Sequence, residues 1–277
     1  MNEYLHKFML NETAASFFLS SYFGIWPEEL QGEKKNDIAL KCAHRAYLDL
    51  NRTLRFNDTA NSTDSEVNTE LKEIRKRFCC DMCEKIVGLI FNQLLNTTVE
   101  NFDTCHEQVC NIITELARTY PANSKEALLA KISRNHGAVY NFYDGQAQKW
   151  LNMTVKYMWM LGLWPKLQEL LPKLHVPVDS FILEAVWHEG LPENDQGHVQ
   201  PEQARWRIPL PNRDQNNDPK RCLMFDPAKV IAWSQWEYKE YERFQEALRG
   251  HPMLGGKMPL EWEASAWIEI AKKRSAQ

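Results

Sequence analysis

Apolar residues recur every three or four positions along nearly the whole chain, the period of an α-helix with one buried face. Residues 2–23 and 36–56 follow it, and RAYLDLNRTLRF places Ala46, Leu50 and Leu54 on one stripe. The stretch NDTANSTDSEVN (57–68) is uniformly polar and reads as a loop or a disordered insert. Helices resume over 69–96 and 104–119 and stop at Tyr120-Pro121, because the residue before a proline avoids the helical region. Ser124 then caps KEALLAKISR.

Residues 145–163 form the most hydrophobic helix, ended by Gly162 and by Pro165 beyond it. The short helix KLQELLPKL leads to HVPVDSFILEAVW, where Pro177 suits a first helical turn and Asp179 lies near a helix N-terminus. Residues 190–222 are rich in Pro, Asn, Gln and Asp and read as a long irregular loop of the kind that often carries function. Asp226-Pro227 opens a helix over 227–249, and a last helix covers 259–273. No repeat and no sheet pattern emerges, so the class is all-α. The organisation is two-lobed: residues 1–130 form a helical lobe, and 131–277 form a second with the long hydrophobic helix and the loop.

Within DGQAQKWLNMTVKYMWML, Lys149, Asn152 and Lys156 stand at i, i+3 and i+7, one narrow polar stripe among apolar and aromatic neighbours. Two readings are open. Either the helix is partly exposed and its lysines snorkel to water, or the stripe lines a cavity. In the second case desolvation favours the free amine, which becomes a nucleophile needing a carboxylate nearby. Asp179, flanked by Val178 and Phe181, is the candidate partner, and a plain N-cap is its alternative role.

The proline-valine-aspartate of HVPVDSFILEAVW, preceded by the lysine-bearing GQAQKWLNMTVKYMWML, resembles the signature of the helix–hairpin–helix DNA glycosylase superfamily. Asp179 follows Lys149 by 30 residues and Lys156 by 23, and the longer spacing is similar to the archaeal-type 8-oxoguanine DNA glycosylases. The resemblance implies a glycosylase that flips a damaged or modified base out of duplex DNA, with Lys149 attacking C1′ and Asp179 stabilising the charge on the sugar. It implies a pocket lined by Gln146, Trp150, Asn152, Lys156, His175 and Trp206, and DNA-backbone contacts from Arg205 and Arg207 in ARWRIPLPNR. His136 is a further polar pocket candidate. Nine of the ten tryptophans follow residue 145, and aromatic faces are what a flipped base stacks upon. No cofactor and no catalytic metal are expected. The competing reading is a non-enzymatic helical protein that binds a partner or ligand through 190–222.

Composition changes this picture in three places. The formal charge of -4 supplies no global attraction for DNA, so a nucleic-acid partner requires a local basic patch. Seven cysteines suit reduced thiols, although Cys80, Cys83, Cys105 and Cys110 have spacings that also fit zinc. No stretch reaches the ~18 apolar residues of a membrane span, and MNEYLHKFML lacks the features of a signal peptide, so a cytoplasmic location is expected.

Overall fold

The computed structural model describes residues 12–31, 34–56, 65–120, 139–140, 142–189 and 232–275, and these are overwhelmingly helical. The α1 helix (Glu12–Phe18) runs into a π-turn at Leu19–Phe23, closed by Gly24 in the left-handed region at φ 64°. There follow α2 (Lys35–Leu50), α3 (Ser65–Asn92), α4 (Phe102–Arg118), α5 (Asp144–Leu161) and α6 (Pro165–Glu169). After these come α7 (Ser180–Glu189), α8 (Tyr238–Arg249) and α9 (Pro259–Ser275). Two-residue strands β1 (Arg55–Phe56) and β2 (Val139–Tyr140) pair antiparallel, Arg55 opposite Tyr140. The described residues are all-α apart from this ladder.

The chain divides into two compact units, Met1–Leu170 and Leu171–Gln277. The lobe boundary expected after residue 130 therefore moves to 170. The reason is packing: α5 lies against α2 and α4, so the lysine helix belongs with the N-terminal elements.

In the first unit, every residue of α5 from Gly145 to Val155 is buried, including its polar ones. The sequence places apolar groups on most sides of it, and a helix of that kind is stable only when largely enclosed. Its neighbours have the complementary form. The α2 helix buries Ile38, Ala39, Cys42, Ala43, Ala46, Tyr47 and Leu50 at three-to-four spacing. Small side chains at 39, 42, 43 and 46 bring α5 close enough for the Trp150 indole N–H to donate to the Ala43 carbonyl at 3.0 Å. The α4 helix buries Phe102, His106, Val109, Cys110, Ile113, Thr114 and Ala117 by the same period. Gly162, at φ 68°, ends α5 in the left-handed conformation that favours glycine, and Pro165 starts α6.

A polar clasp ties these helices to the π-turn. The Tyr157 hydroxyl donates to Asp49 and pairs with the Tyr22 hydroxyl at 3.0 Å. Arg45 pairs with Asp49 at 3.0 Å while its guanidinium lies 3.7 Å over the Tyr22 ring. In the second unit α7 packs on α9, with the Phe181 and Trp267 rings stacked at 4.7 Å and Arg274 paired with Glu184 at 2.5 Å.

Several boundaries differ from the sequence expectation for local reasons. Residues 65–68 join α3 rather than the polar loop, because α3 begins at Ser65. The helix expected over 36–56 ends at Leu50, where a 3-10 turn (Asn51–Thr53) and β1 take over. Of the helix expected over 227–249, residues 227–231 lie outside the described residues; from 232 on, a 3-10 turn at Trp233–Gln235 precedes a helix that begins at Tyr238, with the Glu237 amide donating to Glu240 Oε2. The expected helix after Ser124 and the loop 190–222 lie outside the described residues.

Trp150 closes the first unit's core, fully buried and touching Tyr47 and Phe78. Replacing it by Ala removes a large side chain and leaves a cavity, so Trp150→Ala is expected to lower unfolding free energy by about 3–5 kcal/mol in a urea titration.

Candidate active site

The lysine helix is fixed at its start by three hydrogen bonds. The Tyr143 amide donates to Gln146 Oε1 at 2.9 Å, and Gln146 Nε2 donates to the Thr53 carbonyl at 2.8 Å. Thr114 donates to Asp144 at 3.0 Å, which tethers the first turn to α4. Asp144 also sits where the positive end of the helix dipole favours a carboxylate.

Inside the unit a directional polar chain crosses from α4 to α5. His106 Nε2 lies 2.8 Å from Asn152 Oδ1, which only accepts, so the imidazole carries its proton on Nε2. The other nitrogen, Nδ1, then accepts from the Cys110 thiol at 3.7 Å. Asn152 Nδ2 donates to Gln148 Oε1 at 3.0 Å, and Gln148 Nε2 donates to the Gly145 carbonyl at 2.9 Å. Cysteine, histidine and asparagine are the residue types of a thiol-protease triad. Here, however, all three are buried, and burial, aided by Asp144 and Glu107, holds the Cys110 thiol well above its ordinary range. A protonated thiol without solvent access is inert, so the chain is structural. Its sequence signal was the i, i+4 spacing of His106 and Cys110.

The stripe expected on this helix runs from interior to surface. Lys149 is 4% exposed and Asn152 is 3% exposed, while Lys156 is half-buried. Snorkelling to water therefore does not describe Lys149. Asn152 is committed to His106 and Gln148, Gln146 to the helix start, and Trp150 to the aromatic core.

The second unit presents HVPV as a buried run that leads through half-buried Asp179 into α7. Gln245 of α8 grips it like a strand partner: Val176 N–H donates to Oε1 at 3.0 Å, and Nε2 donates to the Val176 carbonyl at 2.8 Å. His175 Nδ1 lies 2.5 Å from the Tyr241 hydroxyl, and Arg249 donates to the Lys173 carbonyl at 3.0 Å. Asp179 is thereby delivered to the N-cap of α7, where its Oδ1 accepts from the Phe181 and Ile182 amides at 2.9 and 3.0 Å. Pro177 precedes the helix instead of occupying its first turn.

Lys149 and Asp179 thus lie in different units. Trp206, Arg205, Arg207 and His136 lie outside the described residues. Cys80 is exposed, Cys105 intermediate, and Cys83 and Cys110 buried. Among the described residues no three His, Cys, Asp or Glu side chains gather to hold a metal ion. Among them, too, no helix is long and apolar enough to cross a membrane. Compared with known proteins, the chain matches no family model, no curated protein and no solved structure.

Two measurements test this geometry. Gln245→Leu leaves the Val176 amide and carbonyl without their partner and is expected to lower thermal stability, by about 1–3 kcal/mol for each group. Stability is also expected to fall on the alkaline side. A hydrogen bond with Cys79 and burial raise the Cys83 thiol, burial raises Cys42 and Tyr157, and burial pushes Tyr47 up to about 12. On unfolding these groups ionise near their ordinary values of 9.0 for thiols and 10.0 for phenols. Their contribution is full at neutral pH and declines above pH 9, that of Tyr47 disappearing between 10.0 and about 12. Urea midpoints from pH 7 to 11 follow this; a flat profile contradicts it.

Proposed function

We propose that the protein is a DNA glycosylase of the helix–hairpin–helix kind, with Lys149 as amine nucleophile and Asp179 as partner carboxylate. The observation that carries the reading is the burial of Lys149, 4% exposed, on a helix whose residues from Gly145 to Val155 are all buried. An amine in that setting is screened from water, as a Schiff-base nucleophile requires. Asp179 suits its role because the Gln245 grip and the two α7 amides orient its carboxylate before any substrate arrives.

In this reading a flipped nucleotide brings C1′ to the Lys149 amine. The C1′–base bond breaks as the C1′–nitrogen bond forms, the base leaves with a proton, and Asp179 offsets the positive charge on the sugar. Approach to Lys149 obliges the side chains over it to shift on binding. The proposed location is cytoplasmic, with duplex DNA bearing a damaged or modified base as partner.

One observation favours the non-enzymatic reading, in which the protein only binds a partner or ligand. Asp179 Oδ1 already holds two helix amides, which is what a plain N-cap does.

Borohydride trapping on duplexes carrying modified bases and an abasic site separates the two. The glycosylase reading expects a covalent adduct that disappears in Lys149→Gln, with base release reduced at least 100-fold in Asp179→Asn. Absence of both adduct and base release on every duplex rejects it in favour of the binding protein.

A further inference from the structure

Away from the lysine helix, the end of α2, the 3-10 turn and β1 fold over α3 and leave a half-open cleft. It measures about 360 Å³ and is lined by Tyr47, Asn51, Leu54, Arg55, Phe56 and Arg75. That volume falls at the lower end of the ~300–1,000 Å³ typical of small-ligand sites. Two of the six lining side chains are guanidinium groups, and none is a carboxylate.

The floor is rigid and aromatic. Phe56 meets Phe78 edge-to-face at 5.5 Å, Phe78 in turn contacts Trp150, and Tyr47 also packs on Trp150. Arg75 is oriented by its position 5.3 Å from the Phe56 ring centre. The Tyr47 phenol, protonated at neutral pH like any tyrosine, adds a hydroxyl donor to the lining.

The surroundings carry the same charge. Lys72, Arg75 and Lys76 stand at i, i+3 and i+4 on α3 and are exposed, as are Arg77 and the nearby Arg52 and Arg55. Glu73 is the one carboxylate among residues 72–77. The chain as a whole has a net charge of -4, so this is a local concentration of cations. A planar guanidinium pair beside an aromatic floor fits phosphate oxygens joined to an apolar ring system better than it fits a simple carboxylate.

We propose that this cleft binds the phosphate of a nucleotide, with Arg55 and Arg75 on the phosphate oxygens and the attached sugar or base against Leu54 and Phe56. The phosphate comes either from a free mononucleotide or from a nucleic-acid strand. The site does not depend on Lys149, so it stands or falls apart from the glycosylase reading.

The test is fluorescence anisotropy of the full chain with a labelled 5′-phosphorylated oligothymidylate, competed by AMP and by inorganic phosphate. The expected result is saturable binding that weakens about tenfold in Arg55→Gln and again in Arg75→Gln. Rising salt should weaken it further. Arg75→Lys keeps the charge but not the fork and should fall in between. Displacement by AMP assigns the site to free nucleotides, whereas resistance to AMP assigns it to strands. Both arginines are exposed, and circular dichroism verifies that the variants fold. The proposal is overturned by no binding of oligonucleotide or AMP, by equal competition from inorganic phosphate, or by binding that both arginine substitutions leave unchanged.

Discussion

Burial of α5 on all sides is the constraint from which the first unit follows. Any polar group on an enclosed helix must find a partner inside the protein, because water is not there to serve. Gln146, Gln148, Asn152 and Thr154 all meet that demand through short, specific hydrogen bonds. Those bonds set where α4 and the turn after α2 can lie. His106 has to stand opposite Asn152, and Thr53 has to reach Gln146. The small residues of α2 then become necessary, since nothing larger admits Trp150 to the Ala43 carbonyl. Polar satisfaction and close packing are two faces of one requirement here.

A comparable arrangement fixes the second unit by different means. The run HVPV has no helix or sheet of its own, yet it is buried, so its main-chain groups need side-chain partners. Gln245 supplies a donor and an acceptor to one residue, and Tyr241 and Arg249 supply further bonds from the same helix. The carboxylate at its end is consequently a positioned group.

Helical periodicity made most of the described elements legible, and the reason is local. Gly162 and Pro165 mark the end of α5, and Asp179 caps α7 in the way its type suggests. What the sequence could not convey was long-range. Lys149, Asn152 and Lys156 share a stripe, but whether that stripe meets water depends on α2 and α4. Lys149 proved buried and Lys156 half-buried. The unit boundary was misplaced for the same cause, since no local signal says that α5 packs backwards onto α2. Gln245, 66 residues beyond Asp179, had no signature at all, and the basic cleft needed the fold to bring Arg55 to Arg75.

The enclosure of Lys149 is the claim on which the functional reading rests, and lysine-specific reductive methylation tests it most directly. Native protein is briefly methylated, then digested, and each lysine's modification is read by mass spectrometry. Exposed Lys72, Lys76 and Lys85 serve as internal standards. The account predicts that Lys149 stays unmodified while these three react, and that it reacts with them once the chain is unfolded. Modification of Lys149 in the native protein at the rate of Lys85 would contradict it, and with it the case for a shielded amine nucleophile.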